Sequence, residues 1–229
     1  MTKIKMCGLF RNIDIEYANK LMPDYIGFVF YKKSHRYVNA EMASILKSEL
    51  NHDIKAVGVF VNDDIYFISE LVRKKIIDVV QLHGTENESY IKKLRELCSN
   101  PTLEIIKALQ IKDCNTSDLF SRLYNQQHDF NYINFDYSCY PNYYLFDSGM
   151  GSGSTFDWEI LNTINKYHFP IFLAGGITPD NVDTAIKEVN PFAIDVSSGI
   201  ETDKFKDFSK MKDLIDKVNS FNKRGEKYE

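Results

Sequence analysis

FPIFLAGGITPDNVDTAIKEVNPFAIDVSSG, residues 169–199, contains two apolar runs that each end in small and polar residues, FPIFLAGG and FAIDVSSG. Between them NVDTAIKEV has the apolar spacing of a helix. The segment reads as strand, glycine loop, helix, strand, glycine loop. The same unit recurs along the chain. KIKMCG, DYIGFVF, IKAVGVF, DVVQLHG, LEIIKALQ and NYYLFDSG precede it and bring the apolar runs to eight. AEMASILKSEL, DIYFISELVRKK, NESYIKKLREL, SDLFSRLYNQQ and WEILNTINKY lie between runs with helical spacing, and FSKMKDLIDKVNSF follows the last.

The runs are near-continuous in Ile, Val and Phe rather than alternating, the pattern of strands covered on both faces in a parallel sheet. A repeat of roughly thirty residues is the size of a strand plus its crossover helix. Eight such units predict a single-domain α/β fold, a (β/α)8 TIM barrel. The alternative, a doubly wound open sheet, usually has fewer strands, and no G-x-G-x-x-G follows the first run. The barrel is expected over residues 1–222, with the polar end KRGEKYE (223–229) as a fraying tail. HDFNYINFDYSCYPN, residues 128–142, fits no unit; it reads as an insertion or extended loop with a short extra strand at INFDY.

Composition narrows the function. Apolar residues make up 44% of the 229, with 16 Phe and 14 Tyr, which is enough for one large core. A net charge of -4 without a basic stripe argues against nucleic acid as a partner. A small phosphate ester needs only a local positive field. Cys7, Cys98, Cys114 and Cys139 form no C-x-x-C pair and are too sparse for a disulfide scaffold, so free thiols in a reducing cytoplasm are expected. The five histidines form no H-x-x-x-H pair, and no metal site is expected. Lys3, Lys5 and Arg11 interrupt any secretory core at the N-terminus. No apolar stretch approaches about 18 residues, so no membrane span is expected.

In a barrel of this kind the chemistry sits at the carboxyl ends of the strands. Gly175 and Gly176, after strand 7, let backbone approach an anion closely, and Thr178 can cap the next helix with Pro179 at its first position. Ser197, Ser198 and Gly199, after strand 8, offer amide and hydroxyl donors. Either loop alone reads as an ordinary tight turn. Together, in consecutive units after strands 7 and 8, they mark a phosphate site. Asp147 and Asp195 end strands 6 and 8, where an acid is solvated, hydrogen-bonded, capping or functional. Arg36 follows strand 2; it is either a solvated arginine or a two-pronged grip on a carboxylate. Gln81 and His83 share a face by strand parity and can point into the barrel mouth, with His83 read as a structural histidine rather than a base. Lys5 shares the inward face of Cys7, and Asp195 on the adjoining strand is its candidate partner.

KMCGLF (5–10), GFVFYKKSHRYV (27–38), VGVFVN (57–62), VVQLHG (79–84), LFD (145–147), GSGSTFDW (151–158), LAGGITPDNV (173–182) and IDVSSGIE (194–201) together closely resemble the phosphoribosylanthranilate isomerases of tryptophan biosynthesis. The resemblance runs nearly end to end. It implies an Amadori rearrangement of N-(5-phosphoribosyl)anthranilate to 1-(2-carboxyphenylamino)-1-deoxyribulose 5-phosphate. It further implies Cys7 as general base, Asp147 as general acid and Arg36 on the anthranilate carboxylate. Gly175, Gly176 and Ser197 to Gly199 would hold the phosphate, and Asp195 would be a second acidic residue near the substrate nitrogen and sugar hydroxyls; Gln81 and His83, placed at the mouth by parity, are expected to line the substrate site. Acid and base suffice for this chemistry, so no cofactor is expected. A thiol serves as base only as thiolate, so the surroundings of Cys7 are expected to favour the anion. Gly8 is expected to make room for the substrate. The partner is a small phosphosugar; the protein is expected to be a monomer or homodimer.

The chain departs from the family pattern in two places. Only Ser148, Gly149 and Met150 separate Asp147 from GSGSTFDW, where a longer Gly-rich loop is usual, and the 128–142 stretch is longer than usual. The alternatives are a histidine-pathway aminoaldose isomerase, an indoleglycerol-phosphate synthase, or a catalytically silent phosphosugar-binding barrel. Cys7, Arg36 and GSGSTFDW stand against the first, and the synthase would need an N-terminal extension. A silent relative would be expected to lose its acid or base, and both are present.

Overall fold

The computed structural model describes residues 1–110, 139–147 and 170–225. Eight parallel strands close into a barrel in chain order: β1 (Lys3–Cys7), β2 (Tyr25–Val29), β3 (Lys55–Phe60), β4 (Val79–Leu82), β5 (Glu104–Gln110), β6 (Tyr143–Asp147), β7 (Ile171–Leu173) and β8 (Ala193–Val196). The β1–β8 pairing closes the ring with Lys5 opposite Asp195. Six helices are described: α1 (Asn12–Leu21), α2 (Ala40–Glu49), α3 (Ile65–Arg73), α4 (Glu88–Cys98), α5 (Val182–Val189) and α6 (Phe208–Gly225). The helices expected at 117–127 and 158–167, the strand at INFDY and the motif GSGSTFDW lie outside the described residues.

Strand burial explains the unbroken apolar runs. Every residue of β4, β7 and β8 is buried, because helices cover one face and the barrel interior the other. Alternate residues go inward. Tyr25, Val57, Val79, Ile106, Leu145, Phe172 and Ala193 pack as an interior cluster, with Tyr25 and Tyr143 edge-on to Phe172. The opposite parity feeds the larger core between strands and helices, including Ile4, Met6, Ile26, Phe28, Phe60 and Leu82. This filled interior is a floor beneath the carboxyl end of the barrel.

Polar caps set where the helices begin. Asn39, Asp64 and Asn87 accept backbone N–H bonds from Met42, Tyr66 and Tyr90 at 2.8, 3.1 and 3.0 Å. α1 has a weak apolar stripe and depends on Asp14, fully buried, whose carboxylate takes the Phe10 and Arg11 N–H groups and the Arg11 guanidinium. The start of α5 corrects one expectation. Thr178 does not cap it with its hydroxyl, and Pro179 is not its first residue. Instead the Thr178 carbonyl accepts from Asn181 and Val182, and the Asn181 side chain ties the Thr178 N–H to the Gly176 carbonyl. A turn therefore intervenes, and its bonds fix the glycine loop. Among the described residues, no helix is long and apolar enough to cross a membrane, and no His, Cys, Asp and Glu cluster could hold a metal ion.

Candidate active site

A cavity of about 610 Å³ opens at the carboxyl end of the barrel. Cys7 from β1, Gln81 and His83 from β4 and its end, Asp147 from β6 and Asp195 from β8 all line it. They converge because each occupies an inward position at or just beyond the end of its strand. Arg36 reaches the cavity from the loop after β2, and Gly175, Gly176, Ser197 and Ser198 from the loops after β7 and β8. The structure thus gathers all but one of the expected site residues. Gly199 stands one step back: a Cβ there would collide with the Ile177 carbonyl, so its role is to let the β8 loop close on the β7 loop.

The floor carries a buried ion pair. The Lys5 ammonium donates to both oxygens of Asp195 at 2.8 and 2.9 Å and is fully enclosed, as strand parity suggested. Cys7 stands close enough to Lys5 for the two charges to act on each other. Burial alone pulls the ammonium towards neutrality, but Asp195 and then Cys7 more than reverse this and hold the pKa above its ordinary value. Cys7, half-buried, behaves differently from expectation. Burial pushes its thiol up, Lys5 and Lys206 pull it down, Asp195 adds to the rise, and the net shift is upward. The cations beside the sulfur moderate the burial cost of thiolate without cancelling it.

On the opposite wall, His83 Nε2 lies 3.7 Å from the Asp147 carboxylate. Its Nδ1 is 3.1 Å from the Gln81 side-chain nitrogen. With the Gln81 amide donating, Nδ1 is the acceptor and Nε2–H faces Asp147. Burial lowers the His83 pKa, with Asp147 and Asp195 opposing, which favours the neutral ring. Gln81 is 1% exposed, and its Oε1 has no hydrogen-bond partner among the described residues.

The anion loops have distinct geometries. Gly175 and Gly176 both adopt positive φ, 85° and 64°, which turns the chain sharply after β7. Ser198 opens a 3-10 turn (Ser198–Ile200), while the Ser197 hydroxyl donates to the Cys7 carbonyl at 3.1 Å. That bond ties the loop to β1.

Arg36 does form a two-pronged grip on a carboxylate, but on one within the protein. Its Nε and Nη2 donate to the two oxygens of Glu201 at 2.7 and 2.8 Å. Gly8 makes this possible: at φ 79°, a Cβ there would collide with Arg36 Cδ. Gly8 therefore makes room for the arginine. Glu201 and its second partner Lys206 were not among the sequence-derived site residues. Glu201 stands at the end of IDVSSGIE with nothing local to mark it as an anchor for a loop 165 positions away.

Residues 4–217 match the family model for N-(5'-phosphoribosyl)anthranilate isomerase. The N-(5'-phosphoribosyl)anthranilate isomerase of Thermoanaerobacter sp. strain X514 is 43% identical over 218 residues, covering 95% of this chain and 98% of that protein. That of Acetivibrio thermocellus is 40% identical over 222 residues, covering 95% and 96%. Among solved structures, the phosphoribosyl anthranilate isomerase of Thermotoga maritima superposes with a TM-score of 0.79 at 32% identity, covering 96% of this chain and all of that one. A phosphoribosyl anthranilate isomerase in complex with reduced 1-(o-carboxyphenylamino)-1-deoxyribulose 5-phosphate gives 0.77 at the same identity and coverage. By sequence and by fold, this chain belongs to the N-(5'-phosphoribosyl)anthranilate isomerase family.

Proposed function

We propose that this chain catalyses the Amadori rearrangement of N-(5-phosphoribosyl)anthranilate to 1-(2-carboxyphenylamino)-1-deoxyribulose 5-phosphate, a step of tryptophan biosynthesis, with Asp147 as general acid and Cys7 as general base. The observation that carries the reading is a single cavity holding an acid, a thiol, an arginine and two anion loops at the ends of different strands. Family membership supplies the reaction.

Asp147 gives its proton to the furanose oxygen as the C1–O bond breaks, and the nitrogen lone pair forms the protonated Schiff base. The Cys7 thiolate then takes the proton from C2. The resulting enolamine tautomerises to the aminoketose, with no net change in oxidation state. Phosphate held by the loops after β7 and β8 would lay the ribose between β6 and β1, the strands that carry acid and base. The anthranilate carboxylate would reach Arg36. Lys5 stabilises the thiolate as it forms, and Asp195 holds Lys5 charged.

The test is the disappearance of phosphoribosylanthranilate fluorescence. Wild type turns the substrate over, and Cys7→Ala lowers kcat by at least about 100-fold with little change in KM. Near-normal turnover by the variant would remove Cys7 as the base.

A further inference from the structure

After the 3-10 turn the chain forms a small antiparallel hairpin, β9 (Glu201–Thr202) and β10 (Phe205–Lys206), in which Glu201 and Lys206 are paired across the strands. Both side chains are buried, 7% and 0% exposed, beneath the loop that carries Arg36. Glu201 Oε1 accepts from Arg36 Nε and from Lys206 Nζ, both at 2.7 Å, and Oε2 accepts from Arg36 Nη2. Lys206 also donates to the Ser197 carbonyl at 2.9 Å.

This arrangement restricts what Arg36 can do. A guanidinium has two edges able to meet a carboxylate in bidentate fashion, the Nε side and the end formed by both Nη atoms. Glu201 occupies the Nε side. The Nη end is left to meet a carboxylate, and Arg36 lines the cavity. An anion this close to a carboxylate site would repel the ligand if it stood alone. Lys206 prevents that: two cations share one carboxylate, and the cluster keeps a net positive charge.

We propose that Glu201 and Lys206 are positioning residues for carboxylate recognition, Glu201 fixing Arg36 so that its Nη end meets the aryl carboxylate of the substrate, and Lys206 neutralising the anchor. This rests on the reading of the reaction above. Neither residue touches the reacting atoms, so loss of Glu201 should change which substrate is preferred rather than the chemical step, whereas Lys206, whose charge also favours the Cys7 thiolate, should affect both.

The experiment compares phosphoribosylanthranilate with N-(5-phosphoribosyl)aniline, which lacks only the carboxylate, in wild type and Glu201→Gln. In Glu201→Gln, kcat/KM for the carboxylated substrate should fall about tenfold, mostly through KM, the scale of one charge-assisted hydrogen bond. The aniline substrate should change less than about threefold, so the preference narrows. Lys206→Met should narrow it as well. An equal fall for both substrates in Glu201→Gln would mark a merely structural role and overturn the proposal. Tighter use of the carboxylated substrate would also overturn it, since Glu201 would then be competing for Arg36. If Glu201→Gln does not fold, Glu201→Asp, which keeps the charge and shortens the reach, must still narrow the preference. A wild type inactive on both substrates overturns the reaction as well; an active wild type with unchanged preference in the variants overturns only this inference.

Discussion

Two buried ionic groups flank the same cavity and are built in different ways. Lys5 and Asp195 stand opposite each other in the register of adjacent strands, Lys5 fully enclosed by the barrel and Asp195 at the cavity wall. Arg36, Glu201 and Lys206 come from a loop after β2 and a hairpin after β8, and Arg36 keeps 16% of its side chain exposed. The first pair is fixed by sheet geometry, with the Lys5 ammonium fully enclosed. The second is a shared carboxylate with two cations, so losing one cation leaves another in place. A strand-borne pair is therefore suited to setting the charge beside a catalytic group. A loop-borne cluster is suited to recognition, where a ligand carboxylate has to be accommodated.

The sharpest way to break this contrast is Lys5→Met. It strands Asp195 as a buried, uncompensated charge, and such losses cost about 3–5 kcal/mol. Urea unfolding should show this. A loss under about 1 kcal/mol would mean that Asp195 finds another partner and the enclosed pair is not special. The pH profile sharpens the point. Burial already places the Cys7 thiol above its ordinary pKa, with Lys5 opposing the rise. Activity that needs thiolate rises with pH through that value. Removing the Lys5 cation disfavours thiolate further, so the rising limb of kcat/KM should move to higher pH in Lys5→Met.

Arg36→Met tests the other half and should act differently. Lys206 still pairs with Glu201, so the stability loss should be only about 1 kcal/mol, within the range of ordinary substitutions. Affinity for a product analogue that carries the carboxylate should fall about 10–100-fold, the value of a bidentate charged contact. Binding as tight as wild type would remove the carboxylate clamp. The acid side of the stability curve provides a second check. Burial raises the Glu201 pKa, but bonds from Arg36 and Lys206 outweigh it and hold it below the ordinary carboxylate value. A depressed pKa contributes stability that is present above about pH 4.3 and is lost as pH falls through the folded value. Without Arg36 the depression shrinks, and the loss on acidification should be shallower.

The same contrast decides how much could be read in advance. The eight strands were legible because each buried run is apolar on both faces. Cys7, Gln81, His83, Asp147 and Asp195 were legible because the end of a strand fixes where a side chain points. The Lys5–Asp195 pair followed from parity and the closure of β8 on β1. Glu201 and Lys206 did not, since no period or register relates a loop after β2 to a hairpin after β8. The approach of Arg36 to Gly8 was hidden for the same reason, since loop geometry brings it there. The start of α5 was misplaced because Thr178-Pro179 resembles a cap, while the Asn181 side chain holds a turn instead.

The smallest expected effect comes from an ion pair with neither property. Lys212 and Asp216 sit one turn apart on α6 and are more than half exposed, 56% and 57%. Water screens both charges in either state, and holding two long side chains together costs entropy that offsets the attraction. Lys212→Ala should therefore change stability by less than about 0.5 kcal/mol in urea unfolding. Enclosure separates this pair from Lys5–Asp195, so the two variants bracket how much of an ion pair's effect comes from the barrel around it. A cost for Lys212→Ala comparable to that of Lys5→Met would show that burial is not what gives the strand-borne pair its weight.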